Sequence, residues 1–315
     1  MIRNFFLCIS LIASSQAFAN KAAPIEKFYP LDEVAPDVFV VHGPTEAPNQ
    51  VNQGFINNPS FIITDEGVVV IDPGSSVQVG EMLMAHIDGK TKLPVVAVFN
   101  THVHGDHWLG NEAVVAKYPD AKIYAHPMTS RMIKQGEDVV WLDFMENLTA
   151  GATAGTRALG PTHLVNGGDE ISIGNLSFKV FHTGEAHTAT DIMIYVKERS
   201  VIYLSDNASQ NFVVPVEGSM RGNIQALDDA IKSGAKVFIP GHGKTSGPKA
   251  ASDYRDFLSI IYETAKTGYE EGLADFEIRP QLLPKLEQWE SWSGFEGQIG
   301  KLLNFAYLEA ELAAF

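Results

Sequence analysis

Thr101-His102-Val103-His104-Gly105-Asp106-His107 places three imidazoles and a carboxylate within six successive positions. Gathering polar rings costs free energy unless something pairs with them, and a divalent cation does so well. A polar surface turn is the plainer alternative, but it leaves the density of histidine unexplained. The run directly follows Leu93-Pro94-Val95-Val96-Ala97-Val98-Phe99, an apolar stretch that reads as a buried parallel strand ending at Asn100. The cluster therefore sits where the chain leaves the carboxyl end of a sheet strand, where open α/β sheets place their active sites.

Upstream, residues 38–41 read as a first strand, and residues 61–64 and 68–71 flank Asp65-Glu66-Gly67 as a hairpin. Residues 43–58, rich in Gly, Pro, Asn and Gln, should loop beside the cluster or over it. Residues 77–88 read as a helix. Downstream, residues 111–117 are helical and 121–125 form a short strand. Residues 128–160 hold helical segments broken at Gly151 and Gly155, a lid or a variable flank. Residues 176–181, 191–196 and 200–204 then read as successive strands of a second sheet, followed by a helix near 224–232 and a short strand at 236–239. Two strand-rich halves, each with helices, predict two sheets packed face to face and covered outside by helices. From Lys249 onward the chain turns helical. Tyr254, Phe257, Leu258, Ile261 and Tyr262 recur at helical spacing, as do Leu302, Leu303, Ala306, Tyr307 and Ala310. Trp289 and Trp292, three apart, read as a packing face.

Residues 1–19 combine a positive start at Arg3, an apolar core over 5–13 and small residues at Ala17 and Ala19. They read as a signal peptide cleaved before Asn20, its apolar run too short to span a bilayer comfortably. The expected location is periplasmic or secreted. Cys8, the one cysteine of the 315 residues, lies in that leader, so the mature chain would bind metal through nitrogen and oxygen alone. The formal charge is −15 with no basic run, which argues against nucleic acid as a partner. A small-molecule substrate is expected instead, with no transmembrane domain in the mature chain. Residues 20–247 are expected to form the main domain, with residues 248–315 as a helical extension.

Three further candidates each stand at a strand end or beside a glycine turn. His187 follows Gly184-Glu185-Ala186, Asp206 follows Val201-Ile202-Tyr203-Leu204-Ser205, and His242 lies in Ile239-Pro240-Gly241-His242-Gly243. Singly, a helix cap or a solvated loop would explain each. Together they repeat one arrangement of strand, turn and ligand.

This pattern resembles the metallo-β-lactamase-fold superfamily, whose signature HxHxDH is matched at every defined position by residues 102–107, with distant His, Asp and His motifs at 187, 206 and 242. The resemblance covers roughly residues 35–245. It implies a four-layer αββα sandwich, here with a C-terminal helical extension. It further implies one metal on His102, His104 and His187, a second on Asp106, His107 and His242, and Asp206 as the bridge. Asp72 resembles the family's structural aspartate and would orient a ligand. Asn111 and Thr188 are weaker candidates for that role. His182, His42, His86, His126 and His163 lack comparable companions and read as structural or solvated.

The resemblance implies a dinuclear metal-dependent hydrolase that attacks an activated carbonyl of a small molecule (thioester, lactone or ester) with a metal-bound hydroxide. Asp106 would also orient the nucleophile or pass a proton to the leaving group. Two divalent ions are expected, zinc foremost, with iron or manganese also accommodated. The chain is similar to glyoxalase II-type hydrolases, and its helical tail to that of exported zinc metallohydrolases of quinoprotein-associated systems. The acidic C-terminal region argues against a glutathione thioester. A periplasmic β-lactamase is the alternative, although Asp206 is unusual in those enzymes. A mononuclear iron dioxygenase and a non-catalytic binding protein are weaker, since all seven ligand positions are filled. Phe55 and the insertion residues Met128, Met132, Trp141, Leu142, Phe144 and Met145 either wall the site with apolar surface or simply pack their own segments.

Overall fold

A computed structural model describes residues 21–314; the expected leader, with Cys8, lies outside the described residues. Among the described residues, twelve strands form two sheets. The first takes its strands in chain order: β1 (Leu31–Ala35), β2 (Val38–Val41), β3 (Ser60–Ile63), β4 (Val68–Ile71), β5 (Val95–Phe99), β6 (Lys122–Ala125) and β7 (His163–Leu164). Pairing is antiparallel up to β4 and parallel from there on. The second holds β8 (Glu170–Ile173), β9 (Leu176–Phe181), β10 (Met193–Val196), β11 (Val201–Ser209) and β12 (Val237–His242), in the order β12-β11-β10-β9-β8. Only β11 and β12 run parallel in it.

Strand periodicity builds the layers. Val69 and Ile71 of β4 point between the sheets, with Val40, Ile62 and Phe99, against Phe178, Val180, Ile194 and Tyr203 of the second sheet. The Phe99 and Phe178 rings stack at 5.6 Å. Val68 and Val70, one position out of phase, face the other way. They pack beneath α1 (Val77–Lys90) and α3 (Asn111–Lys117), against Leu83, Ile87 and Val114. On the far side, Ile202 and Leu204 meet α6 (Met220–Lys232), α7 (Lys249–Glu270) and α9 (Phe295–Ala313) through Leu227, Phe257, Leu258 and Leu302. The result is the expected helix–sheet–sheet–helix sandwich, with α8 (Asp275–Leu282) and a 3₁₀ turn joining α7 to α9. The short α2 (Gly105–Trp108), α4 (Pro127–Lys134) and α5 (Glu137–Leu148) stand at the strand ends where the histidine run emerges. No helix among the described residues is long and apolar enough to cross a membrane.

Two differences from the sequence reading bear on the site. Strand β11 does not stop at Leu204 but continues through Asp206 to Ser209. It does so over a bulge, where Ser205 takes φ 57° and the register with β12 shifts. Such an irregularity bends a strand and re-aims a side chain, here the Asp206 carboxylate. Helix α6 begins four residues earlier than expected, because Ser219 caps it by accepting a hydrogen bond from Gly222 N at 2.9 Å. Of the two roles open to Phe55, packing is the one it takes: it is fully buried against Tyr29 in an edge-to-face pair, ring centroids 4.6 Å apart.

Candidate metal centre

The parallel strand β5 ends at Phe99, and Thr101 to His107 follow at its carboxyl end. Asp72, at the end of β4, organises that turn: Oδ1 accepts from Thr101 N at 2.8 Å and Oδ2 from Thr101 Oγ1 at 2.7 Å. The same Oδ2 accepts from His107 Nδ1 at 2.8 Å, so the expected orienting role is met by a direct bond. From the second sheet come His187, Asp206 on the bulged β11 and His242 at the end of β12. Asn58 pins that last turn, donating from Nδ2 to Pro240 O at 2.8 Å and Gly243 O at 2.7 Å. Gly241 is required there, since any Cβ would overlap the Asp206 carboxylate.

All seven sequence-predicted residues come together in two adjoining groups of buried side chains. His102, His104, His187 and Asp206 form one, and Asp106, His107 and His242 the other; within each, the candidate ligand atoms lie within 4.8 Å of one another. Asp206 joins the two, its Oδ1 3.2 Å from His107 Nε2 and its Oδ2 3.2 Å from His242 Nε2 and 3.7 Å from His187 Nε2. Asp106 Oδ2 stands 3.4 Å from both His107 Nε2 and His242 Nε2.

The outer nitrogen of each imidazole has a fixed partner. His187 Nδ1 donates to Pro215 O at 2.8 Å, and His242 Nδ1 to Ile56 O at 2.9 Å. His102 Nδ1 meets Ser205 Oγ at 3.1 Å. His104 is turned round: its Nε2 donates to Glu217 Oε2 at 3.1 Å, leaving Nδ1 to face His187. These bonds select the tautomer and aim the remaining lone pair inward. Inside, His102 Nε2, His107 Nε2 and Asp206 Oδ1 are buried with no hydrogen-bond partner. Orphaned polar atoms of that kind carry a desolvation penalty, which divalent cations bound among them remove. The donor set is nitrogen and oxygen only, and it fits a pair of zinc-like ions.

The electrostatics divide the centre. Burial works against the charges of Asp106 and Asp206, yet His107 and His242 hold both carboxyls well below their usual range. Burial likewise opposes charge on His107 and His242, but these carboxylates outweigh it. His107 is raised well above the ordinary imidazole value and His242 to about 10. At His102 and His187 burial wins, pushing the first well down and the second to about 4. His102 and His187 thus offer neutral imidazoles, while His107 and His242 hold protons that a cation must displace.

The remaining predicted residues separate cleanly. Asn111 pairs with Asn100 and Leu159 O, and Thr188 with Asp191 and Thr190, so neither touches a ligand atom. His182 donates to Asp191 O and stacks on His126 at 4.0 Å. His42 joins Asp32 and Thr245, His163 bonds Thr162, and His86 faces the Phe28 ring. Glu217 and Ser205 escaped the sequence reading, and no local motif marks either. Above the centre opens a cavity of about 410 Å³, walled by Ala47, Pro48 and Ile56 of the 43–58 loop and by Val140, Trp141, Phe144 and Leu148 of α5. Gln298 of α9 reaches its rim. Met128, Met132, Leu142 and Met145 do not line it, and Met145 packs with Trp108 and Leu109 instead.

A sequence model described as the Metallo-beta-lactamase superfamily matches residues 52–242. Metallo-beta-lactamase IND-1 of Chryseobacterium indologenes is 26% identical over 197 residues, 60% of this chain and 73% of that one. A hydroxyacylglutathione hydrolase of Francisella tularensis subsp. novicida is 25% identical over 188 residues, 58% of this chain and 62% of that protein. Among solved structures, a stereoselective inverting sec-alkylsulfatase from Pseudomonas sp. superposes with TM-score 0.66 at 19% identity. That match takes in 89% of this chain but only 50% of the sulfatase.

Proposed function

This chain belongs to the metallo-beta-lactamase superfamily, and on that premise we propose that it is a dinuclear metal-dependent hydrolase of small molecules carrying an activated carbonyl: a thioester, lactone or ester. The observation that carries the reading is the pairing of tethered outer nitrogens with orphaned inner ones across the two ligand groups. His102, His104 and His187 would hold one ion, Asp106, His107 and His242 the other, and Asp206 would lie between them. When bound, such a pair supplies Lewis acidity and a nucleophile at neutral pH.

The side chains then have separate tasks. Asp72, Ser205, Glu217 and the carbonyls of Ile56 and Pro215 keep the imidazole planes from turning. Asp106 borders the cavity as well as the second ligand group, which supports a role for its carboxylate in orienting a nucleophile or passing a proton to a leaving group. The walls of α5 and the 43–58 loop exclude water from the substrate's apolar part. Residues 20–247 would make up the hydrolytic domain and 248–315 its helical extension. The leader composition of residues 1–19 supports export to the periplasm or beyond, with cleavage before Asn20.

Elemental analysis of protein purified without chelator, run beside a panel of aryl esters, thioesters and lactones, tests the reading. Zinc in both positions with turnover of at least one substrate class supports it. A single iron with oxygen uptake, and no hydrolysis, would overturn it.

A further inference from the structure

The walls of the cavity differ from each other in a way that selects a substrate. Val140, Phe144 and Leu148 fall at i, i+4 and i+8 on α5, the spacing of one helical face. That face is turned away from the core: the three are 59%, 45% and 42% exposed. All three line the cavity above the ligand groups. Trp141 closes the gap between them and the centre, its ring 4.8 Å from His104 and 5.3 Å from Phe144. Isolated exposed apolar residues need no explanation, but a continuous stripe opening on a polar centre does.

Histidines aside, the charged residues of the same lining all have one sign. Glu137, Glu217, Asp106 and Asp206 border the cavity, and no lysine or arginine does. Asp106 and Asp206 offset only part of the charge of two bound cations at the base, and Glu217 is held by His104, which leaves Glu137 as the carboxylate beside the apolar face of α5. A carboxylate or sulfate lying along α5, away from the cations, would be desolvated beside Glu137 with no lysine or arginine of the lining to offset it.

We infer that, within the hydrolase reading above, the substrate is an uncharged ester, thioester or lactone whose apolar portion lies along Val140, Phe144 and Leu148, and that Glu137 turns away anionic analogues.

Metal-replete protein should be compared on two substrates of equal length: 4-nitrophenyl octanoate and the 4-nitrophenyl half-ester of octanedioic acid. The neutral ester should have the higher kcat/KM by about tenfold or more, the scale of burying part of one large apolar side chain. Phe144→Ala should lower kcat/KM for the neutral ester by about tenfold, mainly through KM. Glu137→Lys should narrow the ratio by improving the acid. Calorimetric binding of octanamide and of the half-amide of octanedioic acid gives a readout independent of turnover. The neutral amide should bind more tightly, and Phe144→Ala should reduce that advantage. Hydrolysis of both esters with equal or reversed preference overturns this inference and leaves the hydrolase standing. Hydrolysis of neither, with the thioesters and lactones also inert, overturns the hydrolase, and the two amides then decide the charge selection alone.

Discussion

Glu217 Oε2 accepts a hydrogen bond from His104 Nε2 at 3.1 Å, joining residues 113 positions apart. Burial opposes charge on His104, and the Glu217 carboxylate overcomes it, raising the imidazole above its ordinary value. The same contact holds the Glu217 carboxyl below its own. Because the bond occupies Nε2, only Nδ1 remains to face His187.

Removing that tether should loosen one ion specifically. In Glu217→Ala, affinity for the metal on His102, His104 and His187 should fall by roughly 10- to 100-fold, as when other outer partners of ligating histidines are lost. Glu217→Gln keeps an acceptor oxygen and should lose less. Competition with a chromophoric chelator measures both. Equal affinities in wild type and Glu217→Ala would show that the bond does not position the ligand.

Asp206 should behave differently, since it reaches His107, His187 and His242 at once. Asp206→Ala should keep the ion on the three-histidine group, weaken the other, and lower turnover by orders of magnitude. Metal stoichiometry read beside kcat decides this. Full occupancy with undiminished kcat would remove Asp206 from the centre.

Chelation should cost stability as well as activity. Cations that bind only the folded chain stabilise it by about 4 kcal/mol at a thousandfold excess over Kd. Stripped protein should therefore melt at a lower temperature and recover on adding zinc. A melting temperature indifferent to chelator would mean that the ligand groups do not bind metal in the folded state.

Outside the centre, His126 carries a prediction about acid. Half-burial first, and then the charge of the stacked His182, lower its imidazole from 6.5 to about 4. The fold thus prefers the neutral ring. Its contribution is complete above the unfolded value of about 6.5 and is lost as pH falls toward 4. His126→Asn, which can still cap α4, should flatten this part of the curve. Melting temperatures of both proteins between pH 4 and 7.5 check it, and a constant offset between them would refute the assignment.

The legible part of the chain was the part whose signal is local. Residues 102–107 carry four of the candidate ligands within one motif, and Val95 to Phe99 is apolar because both faces of β5 are covered. The uninterrupted apolar run of β4 was equally readable, since Val69 and Val70 serve different cores. Strands β1, β7 and β8 were not seen. They lie at sheet edges, where half-exposed positions leave little periodicity to read. The bulge at Ser205 and the Glu217 tether are products of tertiary pairing, with β12 in one case and His104 in the other. The two roles open to Phe55 could not be told apart for a related reason. Its ring fills a space beside Tyr29 that only the folded sheet creates.

The division of the ligands between the sheets has a consequence for the history of each molecule. His102, His104, Asp106 and His107 arrive on one half of the sandwich, and His187, Asp206 and His242 on the other. Neither half alone offers both complete sets of donors, so a growing or unfolded chain holds at most a fragment of each. Cation binding at this centre therefore reports on the chain as a whole, since only a molecule whose two halves have closed on each other presents every donor at once.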